Sequence, residues 1–71
     1  MTYRLCYDMR WGVGKGSHVR KGLALTIEAR NDGEAMLKAA CRINRDLIAA
    51  TSRFAARNLQ VTWLSVAEVP E

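Results

Sequence analysis

A single histidine stands among cations in the stretch RWGVGKGSHVRKG, Arg10 to Gly22, which also holds four of the five glycines and no acidic residue. Three kinds of chemistry could use such a set. Glycines let backbone amides approach a phosphate closely, and Lys15 could neutralise it. His18 could move a proton at a phosphodiester while Lys15 or Arg20 steadies the developing charge. Arg10, Lys15, His18, Arg20 and Lys21 could instead contact a phosphate backbone or an acidic protein surface, with no bond made or broken. A second basic set, Lys38, Arg42, Arg45, Arg53 and Arg57, follows downstream with Asp46 among it. The two cysteines, Cys6 and Cys41, and the lone histidine have no metal-ligand spacing. Neither a metal nor a cofactor is expected.

The run GVGKGS resembles the phosphate loop of P-loop kinases. Those loops need a glycine five residues before Gly14, where this chain has Met9, and a helix opening directly afterwards. A strand pattern follows here, which excludes the nucleotide reading. The run KGSH, Lys15 to His18, resembles the histidine-bearing strand of HicA-type toxin ribonucleases. That resemblance implies His18 as general base or acid, with Lys15 or Arg20 holding phosphate charge. The family places a helix before its first strand and further strands after the histidine, an order this chain does not follow.

The elements that would position these residues are legible from periodicity. Tyr3, Leu5, Tyr7, Met9 and Trp11 alternate with Thr2, Arg4, Asp8 and Arg10, which predicts a strand over about 2–11 with one buried face. Leu23, Leu25, Ile27 and Ala29 repeat the alternation over about 23–30. Residues 12–22 between them read as a long basic hairpin loop. From Asn31 the period lengthens: Asn31 and Glu34 make a capping box, and a helix is expected over about 32–57. Its inward stripe is expected to be Met36, Ala40, Ile43, Leu47, Ala50 and Phe54. Thr51 and Ser52 mark the place for a bend. A second apolar flank, Leu37, Cys41, Ile48 and Ala55, suggests a homodimer contact. A last strand over about 60–69 carries a slip in alternation near Leu64, as a bulge would produce.

The expected fold is thus α+β: one β-β-α-β domain whose three antiparallel strands lie in order 2-1-3, with one amphipathic helix on a single face. Seventy-one residues suit one domain with a marginal core. A net charge of +4 permits nucleic-acid or acidic-protein partners without selecting between them. No signal-peptide pattern or membrane-length apolar run is visible, so a cytoplasmic protein with free thiols and no membrane partner is expected. Tyr3, Tyr7 and Trp11 could form a stacking platform, but sharing a face with Leu5 and Met9 makes them core.

In size and β-β-α-β layout the chain resembles the small phage-encoded inhibitors of the anti-CRISPR type. The resemblance spans the chain in outline and rests on no motif. It implies a non-enzymatic inhibitor or adaptor that occludes a larger protein or ribonucleoprotein, here through the basic loop and helix face. The alternative is a small basic nucleic-acid-binding regulator, and a HicA-like ribonuclease is the lesser one.

Overall fold

The computed structural model describes residues 1–70. Strand β1 (Thr2–Trp11) runs through the centre of a three-stranded antiparallel sheet, flanked by β2 (His18–Glu28) and β3 (Gln60–Val69). The central place follows from its alternation. All five of its inward residues, Tyr3, Leu5, Tyr7, Met9 and Trp11, are buried, whereas β2 and β3 bury their inner residues only in part. Residues directly opposite one another share a face of the sheet. Leu23, Leu25 and Ile27 therefore join Tyr7, Leu5 and Tyr3 from one side, and Val61, Trp63 and Val66 join Met9, Tyr7 and Leu5 from the other.

The α+β class and the order β2-β1-β3 are as the sequence predicts. Strand β2, however, begins five residues before 23. The expected loop 12–22 shrinks to residues 12–17, closed by a single 3-10 turn at Gly14–Gly16. A bulge makes this extension possible. Between Tyr7 and Met9 the partner strand advances from Leu23 to Arg20, one residue more than β1. Gly22 absorbs the surplus at φ +67°, and its N–H donates to Asp8 Oδ1 at 2.9 Å. A second bulge lies on β3, where Cys6 and Tyr7 oppose Ser65 and Trp63 and leave Leu64 over. That is the slip visible in the sequence.

Helix α1 (Asp32–Ala50) starts at Asn31, whose side chain accepts from the Glu34 N–H at 2.9 Å. Glu34 reaches back to Arg30, bonding Nε at 2.9 Å, and also meets Lys38 Nζ at 3.1 Å. These two cations hold its carboxyl down at about 2 against an ordinary 4.5. The helix buries Ala35, Ala39, Ile43 and Leu47, an i, i+4 row whose two alanines let it lie close on Tyr3 and Leu5. The expected stripe holds only at Ile43 and Leu47. Met36 is half-buried, and Ala40, Ala50 and Phe54 are exposed.

The helix also stops seven residues before 57. Thr51 Oγ1 bonds the Leu47 carbonyl at 2.7 Å, and Ser52 Oγ accepts the Ala55 N–H at 3.0 Å. Such local side-chain bonds offer the backbone an alternative to the helical ladder. Residues 53–58 form turns, and Asn58 closes them in the left-handed region at φ +58°. Ala56 from this segment is buried against the Tyr7, Met9, Trp11, Ile43 and Leu47 cluster. The post-helix turn thereby finishes the layer that the helix began.

Candidate functional site

The early end of the helix decides where the basic residues gather. The post-helix turn folds beside the β1–β2 hairpin, and the Gly12 N–H donates to the Arg57 carbonyl at 2.8 Å. Arg53 and Arg57 thus leave the helix set and join Arg10, Lys15, Arg20 and Lys21 at one end of the domain. Residues 8–22 and 51–62, which build that end, carry six Lys or Arg against one acid, Asp8. The remaining described residues carry five of each sign. The whole positive excess sits on one pole of an elongated molecule, 42 Å long and under 20 Å across.

Within the pole the cations point different ways. Arg10 opposes Val19 and Gln60 on the sheet face away from the helix, and Lys21 shares a shallow depression there with Asp8 and Thr62. His18 and Arg20 oppose Trp11 and Met9, on the helix side. Lys15 stands in the 3-10 turn at the tip. None of these five, nor Arg53 or Arg57, forms an ion pair with a carboxylate among the described residues, where every ion pair involves Glu34 or Asp46.

Two planar stacks lie on the helix side of the pole. The His18 ring packs on Trp11 with centroids 5.2 Å apart and planes 22° from parallel. The Arg57 guanidinium sits 4.1 Å over the Phe54 ring, close enough for a cation–π contact. Phe54 is nevertheless 72% exposed. Between the stacks opens a cleft of about 230 Å³ lined by Gly12, Val13, Gly16, His18, Phe54, Ala55 and Arg57. Gly12 is irreplaceable in this geometry. It adopts φ +94°, and a Cβ there would lie 2.5 Å from the Gly16 carbonyl oxygen.

The rest of the second basic set stays on the helix and is paired. Lys38 meets Glu34 and donates to the Glu28 carbonyl at 3.0 Å, while Arg42 and Arg45 each lie 3.8 Å from Asp46. Lys38, Arg42 and Arg45 border an apolar groove floored by Ile27, Leu37 and Cys41. The expected second flank does not run on as a stripe, because Ala55 is off the helix and Ile48 packs against the core. Tyr3, Tyr7 and Trp11 are core, and burial raises the hydroxyl pKa of Tyr3 and Tyr7 above its ordinary 10.0. Asp8 accepts from the Gly22 N–H at 2.9 Å and Glu28, at 3.5 Å, from the Thr2 hydroxyl.

Among the described residues, no group of three or more Cys, His, Asp or Glu side chains could hold a metal ion, and no helix is long and apolar enough to cross a membrane. Both cysteines are free, Cys6 half-buried on the open sheet face and Cys41 exposed. No family model, curated protein or solved structure matches this chain. Among the residues lining the cleft, Phe54 is the one expected in the core. The Thr51–Ser52 pair is the signal that marks its departure from the helix.

Proposed function

We propose that the protein is a non-enzymatic binding module, an inhibitor or adaptor that occludes a larger protein or ribonucleoprotein at an anionic surface. The supporting observation is the charge polarity: six cations and one acid at the hairpin pole, against near-neutrality elsewhere. Unpaired surface cations keep their full field for a partner, whereas the helix cations spend much of theirs on Glu34 and Asp46. The contact surface is therefore Arg10, Lys15, His18, Arg20, Lys21, Arg53 and Arg57, with Lys38, Arg42 and Arg45 peripheral to it. Occlusion of an effector complex, as by the small phage-encoded inhibitors the chain resembles in layout, is the working role of such a surface.

Two variants of equal charge change test the placement. Lys15→Glu/Arg20→Glu/Lys21→Glu alters the pole, and Lys38→Glu/Arg42→Glu/Arg45→Glu alters the helix. On immobilised heparin as a polyanion probe, the pole variant is expected to elute at far lower salt than the helix variant, both remaining folded by circular dichroism. Equal elution, or a larger loss in the helix variant, refutes the pole as the contact surface. Affinity capture from extract of the source cell, with and without nuclease, then separates a protein partner from a ribonucleoprotein.

A further inference from the structure

The cleft at the pole carries more than charge. An acidic protein surface needs only the cations, but two aromatic rings, His18 and Phe54, also line this cleft. Phe54 is the most exposed large apolar residue of the chain at 72%, yet it is held in place. Its segment is fixed by the Ser52 side-chain bond to Ala55 and by the Gly12–Arg57 backbone bond, and its ring carries the Arg57 guanidinium. His18, backed by Trp11, lines the same cleft. The cleft, at about 230 Å³, is smaller than the roughly 300–1,000 Å³ of sites enclosing drug-sized ligands. It suits one ring of a ligand whose remainder lies outside.

Resting on the reading of the pole as the contact surface, we propose that this cleft takes one unpaired base of a single-stranded nucleic acid. Phe54 and His18 supply the stacking faces, and Lys15, Arg20, Arg53 and Arg57 hold the flanking phosphates. Aromatic faces interleaved with cations are what a strand without sequence readout requires, since every base has a π-face and every linkage a negative charge. A paired base has both faces covered by its neighbours, so a duplex gains the phosphate contacts alone.

Fluorescence anisotropy with a labelled short oligothymidylate, the matching oligouridylate and a duplex of equal length tests this. The wild type is expected to prefer either single strand over the duplex. Phe54→Ala should weaken single-strand binding about 5- to 150-fold, from stacking worth roughly 1–3 kcal/mol per base, and leave duplex binding and the salt slope unchanged. Phe54→Trp should restore it. Lys15→Glu should instead weaken all three probes and lower the salt slope by about 1 or more. The base site is overturned by no single-strand binding at low salt, by equal binding of duplex, or by full affinity in Phe54→Ala. If no probe binds while the pole variant still loses heparin retention, the pole reading survives with an acidic protein as partner; if duplex binds equally, it survives with phosphate contacts alone.

Discussion

Replacing Gly12 with alanine should cost this small domain a large part of its stability. Gly12 sits at φ +94°, past the left-handed minimum that L-residues tolerate, at a strain of roughly 1–3 kcal/mol. The new Cβ would meet Gly16 O at 2.5 Å, Ser17 Cα at 3.1 Å and Gly16 C at 3.2 Å, all backbone. Relief requires moving the 3-10 turn held by the Gly16 N–H to Val13 O and Ser17 N–H to Gly14 O bonds, each worth about 1 kcal/mol net. With one of the two bonds lost, the total is about 2–4 kcal/mol. A chain of 71 residues has only roughly 4–11 kcal/mol to lose. Gly14→Ala is the control: φ is +55° and nothing lies within 4 Å of the added methyl, so strain alone, about 1 kcal/mol, applies. At roughly 4–8 °C per kcal/mol for a domain of this size, the two variants should melt about 5–20 °C apart by circular dichroism. If Gly12→Ala melts with or above Gly14→Ala, the close packing of the hairpin turn is wrong, and with it the coupling of that turn to Arg57.

Acid should find Glu34. Its carboxyl is held near 2 in the folded state against 4.5, so its stabilising share is complete above about pH 4.5 and is lost as pH falls towards 2. Urea midpoints should drop further over that window in the wild type than in Glu34→Gln; parallel profiles would remove the Arg30–Glu34–Lys38 cluster from the stability account. Leu5 is fully buried in the cluster with Tyr3, Ala35 and Ala39. Leu5→Ala should cost about 2–5 kcal/mol in urea unfolding, and a loss below about 1 kcal/mol would contradict a closed core there.

The strands were readable because each turns on large residues that declare a side. Strand β1 and β3 end where alternation and Pro70 place them. Strand β2 starts early because composition is a poor guide beside a bulge. Gly22 reads as loop, yet at φ +67° it keeps Val19 and Arg20 in register with Arg10 and Met9. The helix face was mis-phased because its true seam is half alanine. Ala35 and Ala39 contribute little hydropathy but allow close approach, while the bulkier Leu37 and Phe54 stay outside. The helix end was hidden for a related reason. Apolar and cationic residues go on recurring at helical spacing through Arg57, and only the hydroxyls of Thr51 and Ser52 divert the backbone. The charges of the candidate site were legible; their gathering at one pole was not, because it depends on that diversion.

The length of the molecule gives the charge polarity a further meaning. At physiological ionic strength electrostatic influence decays over about 8 Å, a small fraction of the 42 Å long axis. The two ends are therefore electrically independent. A partner at the hairpin end responds to the local excess and senses nothing of the acids at the other, so the isoelectric point of the chain understates what it meets. Only in dilute salt, where the field reaches further, do the two ends act together as a dipole that turns the protein end-on before contact.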